Sequence, residues 1–171
     1  MTTRILGQRL VHMLFASILL SAATTVSAAS GVFQDFDGQP RSIEDYTGDG
    51  RWLMVMIWVH DCHVCNTEVE SYAQFHLEHE QDNAHVLGLS IDGEDNKADA
   101  LAFIERHDVP FPSLIGEFKD VSAHFQALSG SPLHGTPSIL LYDSEGTLRA
   151  AQSGAVPVSA IEAFIDEHSG S

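Results

Sequence analysis

The run Trp58-Val59-His60-Asp61-Cys62-His63-Val64-Cys65 contains both cysteines of the chain, separated by two residues. An apolar run, residues 52–58, leads into it and predicts a buried strand. The segment that follows, residues 66–80, predicts a helix with Val69, Tyr72, Phe75 and Leu77 facing inward. The two cysteines are therefore expected where a strand ends and a helix begins.

This position favours thiol chemistry. The first turn of a helix has unpaired N–H groups and a partial positive charge, and both stabilise a thiolate. Cys62 lies nearer the helix end and is expected to be the nucleophile. Cys65, three residues later, can attack a mixed disulfide formed at Cys62 and release the product. A disulfide that closes so small a loop contributes little loop entropy, so we expect a redox pair rather than a structural bridge.

The strand, the pattern W-x-x-x-C-x-x-C and the helix resemble the thioredoxin superfamily. The later run Gly135-Thr136-Pro137-Ser138-Ile139-Leu140-Leu141-Tyr142 looks like the cis-proline loop of that superfamily and the strand after it. Residues 33–43, with Phe33, Phe36, Gly38 and Pro40, resemble the N-terminal hairpin of the TlpA/ResA-like branch. Proteins of that branch are extracytoplasmic thiol–disulfide oxidoreductases.

The resemblance implies an α/β, thioredoxin-like fold with a mixed central sheet flanked by helices. It also implies an N-terminal β-hairpin and a TlpA/ResA-type inserted helix. Periodicity adds helices at residues 98–107, 121–128 and 157–168, and strands at 85–91, 113–115, 138–142 and 147–152. In the helix at 98–107 the inward residues are expected to be Ala98, Leu101, Ala102 and Ile104.

The resemblance further assigns roles around the Cys62–Cys65 disulfide. Thr136 and Pro137 are expected to bind the substrate chain strand-to-strand through a loop with a cis peptide bond. Glu68 corresponds to an acid near the thiols of TlpA/ResA-like proteins, either as a catalytic proton carrier or as an exposed helical residue. The implied activity is dithiol reductase work on exported proteins, such as cytochrome c maturation, with no metal and no organic cofactor.

Two residues beside the cysteines complete the predicted substrate-binding set. His63 can stabilise the Cys62 thiolate, or it can be a solvent-facing loop residue. Trp58 is expected close to the site and also packed in the core. Asp61 stands where many relatives have tryptophan, and its charge opposes ionisation of Cys62.

The first 28 residues predict a secretory signal peptide, and residues 30–171 the folded domain. Arg4 and Arg9 precede an apolar run, and Val26-Ser27-Ala28 suits cleavage. An uncleaved membrane anchor is the alternative, but we expect no stable membrane span after cleavage and a periplasmic location. The formal charge is −16, and loss of Arg4 and Arg9 makes it −18 because residues 1–28 contain no acidic residue. Such a charge excludes nucleic acid as a natural partner.

The expected partners are protein thiols and disulfides together with a membrane-bound or soluble electron donor. One alternative function is a periplasmic copper chaperone that uses Cys62, Cys65 and His60 or His63 as soft-metal ligands. A second alternative is a non-catalytic thioredoxin-like binding module. A peroxidase is disfavoured because the chain has no P-x-x-x-T-x-x-C motif. The sequence does not predict an oligomeric state.

Overall fold

The computed structural model describes residues 33–169, which form one seven-stranded sheet with helices on both faces. The strands are β1 (Phe33–Asp35), β2 (Pro40–Arg41), β3 (Trp52–Trp58), β4 (Ala84–Ser90), β5 (Ser113–Ile115), β6 (Ser138–Tyr142) and β7 (Leu148–Ser153). The helices are α1 (His63–His79), α2 (Lys97–Arg106), α3 (Phe118–Ser129) and α4 (Val158–His168). Short 3-10 helices occur at Ile43–Tyr46 and Glu94–Asn96.

Strand β3 lies inside the sheet, whose order is β2-β1-β5-β4-β3-β6-β7. It pairs in parallel with β4 and antiparallel with β6, and all of its residues are buried. A strand covered on both faces needs a continuous apolar run, which is why the sequence predicted its bounds correctly. The predicted hairpin is also present, because β1 and β2 pair with Phe33 opposite Arg41.

The two faces of β3 divide the core into two layers. Residues Trp52, Met54, Met56 and Trp58 pack with α1, α2 and α4. Residues Leu53, Val55 and Ile57 pack with α3 on the other face. This alternation follows from the two-residue period of a strand. The predicted mixed sheet flanked by helices is confirmed, whereas the presence of a TlpA/ResA-type inserted helix stays a prediction.

Helix α1 differs from its sequence prediction in two ways. It begins at His63 rather than at residue 66, so the helix contains Cys65. Leu77 is 56 % exposed, and the expectation that it packs inward is wrong. His76 takes the inward position instead, because its Nδ1 accepts a hydrogen bond from Val86 N–H at 3.1 Å and so satisfies a buried polar ring.

The face that helix α2 turns to the core matches the prediction only in part, because Ile104 packs against the core whereas Ala98 and Ala102 are exposed. Its buried residues are Ala100 and Phe103, whereas Leu101 is 42 % exposed. The stacking of Phe103 on Trp58 fixes this rotation, with ring centroids 4.4 Å apart. An aromatic pair of this kind contributes about 0.5–1.5 kcal/mol beyond the area that it buries.

The two ends of β3 lie at opposite ends of the molecule. Trp58 leads into the cysteine loop, whereas at the other end Trp52 Nε1 donates to Ser169 Oγ at 3.1 Å.

The predicted signal peptide and the predicted start of the domain lie outside the described residues, and both stay predictions. None of the helices between residues 33 and 169 has the length and apolar character needed to cross a membrane.

Candidate active site

The two cysteines lie at the start of α1 and form a disulfide. Cys62 is the N-cap residue, and its Sγ accepts a hydrogen bond from Cys65 N–H at 3.0 Å. Cys62 is half-buried, whereas Cys65 is completely buried. An attacking partner therefore reaches Cys62 first, and an N–H donor is already directed at the sulfur that would carry the negative charge.

The Thr136–Pro137 loop lies against this disulfide and contains a cis peptide bond. Cys62 Sγ is 3.3 Å from the carbonyl oxygen of Thr136, although the two residues are 74 positions apart. The pairing of β3 with β6 brings them together, because Ile57 lies opposite Ser138 at the end of both strands. No hydrogen bond to Thr136 N–H is formed within residues 33–169. This backbone can therefore pair with a bound chain.

A family model matches residues 22–151, about three quarters of the chain, and its description is the AhpC/TSA family. The chain belongs to the AhpC/TSA family. No curated protein sequence matches it.

Solved structures similar to this AhpC/TSA protein are thioredoxin-like. One is the thioredoxin domain of a thiol–disulfide oxidoreductase from Bacteroides vulgatus, with a TM-score of 0.62 and 21 % identity, covering 78 % of this chain and 91 % of that chain. Another is a secreted disulfide oxidoreductase of Mycobacterium tuberculosis, with a TM-score of 0.61 and 14 % identity, covering 79 % of this chain and 93 % of that chain. A third is an exposed lipoprotein thioredoxin of Streptococcus pneumoniae, with a TM-score of 0.61 and 19 % identity, covering 79 % of this chain and 96 % of that chain.

At these identities the likenesses show the fold alone, and the predicted thioredoxin-like fold is confirmed. The family match and the paired cysteines also confirm the predicted enzyme class, a thiol–disulfide oxidoreductase.

A hydrogen-bonded network in this AhpC/TSA protein, which the sequence did not predict, holds the cysteine loop. His60 Nδ1 contacts Asp92 Oδ1, and His60 N–H donates to Asp92 Oδ2 at 3.1 Å. Asn66 Nδ2 donates to the carbonyl oxygens of His60 at 3.2 Å and Cys62 at 2.8 Å. His107, at the end of α2, contacts Asn66 Oδ1 through Nε2 at 2.8 Å. The one sequence signal for this network is that Asp92 directly follows the strand predicted at residues 85–91.

The remaining predicted site residues lie at different depths. Trp58 is 1 % exposed and stacked on Phe103, so it packs in the core next to the cysteine loop; its role in substrate binding stays a prediction. His63 and Asp61 are exposed beside Cys62. Glu68 is half-buried one turn beyond Cys65, and its charge helps burial to raise the pKa of Tyr72.

The predicted copper-chaperone alternative gains no support from this geometry. Cys62 and Cys65 are bonded to each other, and His60 directs Nδ1 at Asp92 rather than at sulfur. Within residues 33–169, three side chains have ligand atoms close enough to share a metal ion: Glu78, His79 and Glu162. Glu78 and His79 lie at the far end of α1 and Glu162 lies on α4, so the group does not involve the cysteines.

Proposed function

We propose that this AhpC/TSA protein is an exported thiol–disulfide oxidoreductase that reduces disulfides in other proteins. The observation that carries the proposal is the contrast between its cysteines. Cys62 is partly exposed at the helix N-cap beside the Thr136 carbonyl group, and Cys65 is buried within hydrogen-bond distance of it. This arrangement suits a nucleophile and a resolving thiol.

The proposed reaction passes two electrons to the partner in two exchange steps. Cys62 thiolate attacks one sulfur of the partner disulfide, a Cys62–partner bond forms, and the other partner sulfur leaves as a thiolate that takes up a proton. Cys65, after losing its proton, then attacks Cys62 Sγ. The second partner sulfur leaves and is protonated, and the Cys62–Cys65 disulfide remains. A donor dithiol, membrane-bound or soluble, restores the two thiols by the reverse exchange.

The loop at Thr136 would orient the partner during these steps. Its unpaired N–H group and its carbonyl group can join an extended partner segment as one more strand. His63 lies on the exposed side of the motif, where it would contact such a segment. Glu68 remains our proposed proton carrier for Cys65, because it is half-buried one turn further along α1.

Export is supported by the leader-like residues 1–28 and by a lone C-x-x-C pair, which suits a periplasmic redox enzyme. Two of the similar structures are described as secreted or exposed proteins.

The test is trapping of the mixed disulfide with a peptide that contains one disulfide. We expect reduced Cys65→Ser to accumulate the covalent complex and Cys62→Ser to form none, because only Cys62 is open to attack. If both variants keep wild-type reduction of the peptide, the assignment is wrong.

The reduction potential of the Cys62–Cys65 pair decides the direction of electron transfer. A value near about −270 mV favours a reductase, and a value near about −120 mV favours an oxidant.

A further inference from the structure

His60 is held on three sides, although it lies in the loop before the proposed nucleophile. Its backbone N–H and its ring both contact Asp92, and its carbonyl oxygen accepts from Asn66 Nδ2. The ring keeps 27 % of its surface exposed. A loop residue anchored through backbone and side chain together has little freedom, so this segment is fixed before any partner arrives.

Asp92 is a buried carboxylate whose two oxygens contact this loop and Ser90, the last residue of β4. Its side chain is fully buried, and Oδ2 accepts from Ser90 Oγ at 2.6 Å as well as from His60 N–H. A buried carboxylate is costly unless it is hydrogen-bonded and paired with a positive charge. Within residues 33–169, His60 is the basic side chain in contact with Asp92.

Within residues 33–169, the charged groups that act on His60 are acidic. They are Asp92 after β4, Asp61 in the same loop and Asp99 on α2. The hydrogen bond to Asp92 raises the pKa of His60 above its ordinary value; burial opposes this, and the three carboxylates reinforce it. A larger fraction of His60 is therefore charged at neutral pH than in a free histidine.

The anchoring of His60 extends to Cys62 through one shared side chain. Asn66 Nδ2 donates to the carbonyl oxygens of both residues, and the Asn66 amide is itself contacted by His107. The same amide therefore fixes the backbone that presents Cys62 Sγ to Cys65 N–H.

We propose that His60, clamped by Asp92 and Asn66, is a positioning residue that holds Cys62 at the N-cap and favours its thiolate through the imidazolium charge. The inference rests on the proposed function, since it concerns the same dithiol. It adds a pH-sensitive control of Cys62 that neither the motif nor the family match assigns.

The first experiment measures alkylation of Cys62 by iodoacetamide against pH in the reduced protein, with peptide mapping to separate Cys62 from buried Cys65. The variant is His60→Asn, which keeps an N–H donor near the position of Nδ1 but carries no charge. A rise of one unit in the pKa of the thiol lowers the thiolate fraction about tenfold. Because nucleophilicity rises with pKa, we expect alkylation at pH 7 to slow only about threefold and the profile to move to higher pH.

The matched control is His79→Asn. The His79 side chain is similarly exposed, at 25 %, and also contacts a carboxylate, that of Glu162, but it lies at the other end of α1. We expect its alkylation profile to coincide with that of the wild type. The proposal is overturned if the His60→Asn profile also coincides with the wild type, or if His79→Asn shifts it equally.

A second measurement needs no variant. The ring protons of His60 are titrated by NMR in the oxidised and in the reduced wild-type protein. Coupled groups share their titrations, so reduced His60 should show a second inflection at the pKa of the Cys62 thiol that is missing from the oxidised protein. Identical curves in both states overturn the proposal. Neither experiment requires turnover, so a protein that reduces no disulfide would refute the proposed function while these results still decide the role of His60.

Discussion

Tyr72 uses one buried oxygen to satisfy two groups of a loop. Its Oη donates to the carbonyl oxygen of Val156 at 3.0 Å and accepts from Val156 N–H at 3.2 Å. The bond ties α1 to the segment between β7 and α4. Tyr142 is the opposite case, because its Oη is buried without a partner among residues 33–169, and burial raises its pKa to about 12.

We predict that Tyr72→Phe lowers the free energy of unfolding by about 1–3 kcal/mol, because it removes the partner of two backbone groups of half-buried Val156. Tyr142→Phe is the matched control and is expected to change stability by less than about 0.5 kcal/mol, or to increase it, since no bond is lost. Urea unfolding followed by circular dichroism measures both. Equal losses in the two variants would contradict the assignment of the hydrogen bonds.

The contact of His60 with Asp92 could not be predicted from the residues next to His60 in the sequence. The position of His60 beside two cysteines favours a role as a soft-metal ligand. Its actual partner lies 32 positions away, and only the parallel pairing of β3 with β4 brings the two loops together. No periodic pattern encodes such a contact.

At the level of elements, the buried strands were predicted well and the helix faces less well. Strand β3 is buried on both sides, so its apolar run marks its limits directly. Helix α1 begins a turn earlier than predicted because Cys62 acts as its N-cap, a role that sequence patterns assign to Ser, Thr, Asp or Asn. Leu77 is exposed and His76 is buried, although leucine is usually the more buried of the two residue types. The buried imidazole of His76 is tolerated because it accepts a hydrogen bond from Val86 N–H in β4.

His76 also makes the attachment of α1 to β4 sensitive to acid. Burial lowers the pKa of His76, and likewise that of His85, below the ordinary value of 6.5. As the pH falls below about 6.5, the unfolded chain takes up these protons before the folded protein does, so stability decreases until the folded-state pKa values are passed. His60 acts in the opposite direction, because its raised pKa contributes stability that is lost as the pH rises.

We therefore predict that wild-type stability falls between pH 6.5 and 5, by at most about 1.4 kcal/mol per pH unit for each such histidine. His76→Asn keeps an acceptor for Val86 N–H but does not titrate, so its slope should be shallower. His76→Leu should show the same shallow slope and a further loss at pH 7.5, because Val86 N–H then lacks a partner. Urea unfolding at several pH values measures this, and an unchanged slope in His76→Asn would contradict it.

At the scale of the whole molecule, the resemblance predicted the sheet and the meeting of its two functional loops. Cys62 and Thr136 are far apart in sequence, yet the W-x-x-x-C-x-x-C and Thr-Pro motifs indicated that they meet, as the structure shows. Composition and periodicity alone could not order the strands, because strands β3, β4 and β6 are all short apolar runs.

The formal charge of −16 should act on partner choice over the whole surface. We predict that a disulfide peptide flanked by lysines is reduced about tenfold faster at 10 mM salt than at 150 mM, since screening weakens electrostatic attraction. The same peptide flanked by glutamates is the control and should be reduced faster as salt is added. Stopped-flow measurement of kcat/KM tests this, and the same salt dependence for both peptides would contradict it.

The bond between Trp52 and Ser169 has a practical consequence for attaching the protein to a solid support. It fixes the last described residue at the end of β3 that points away from the cysteines, roughly 20 Å along a seven-residue strand. A linker joined after Ser169 would therefore orient immobilised molecules with Cys62 facing the solution. Sensor chips and affinity columns prepared in this way would present the reactive sulfur to whatever flows past.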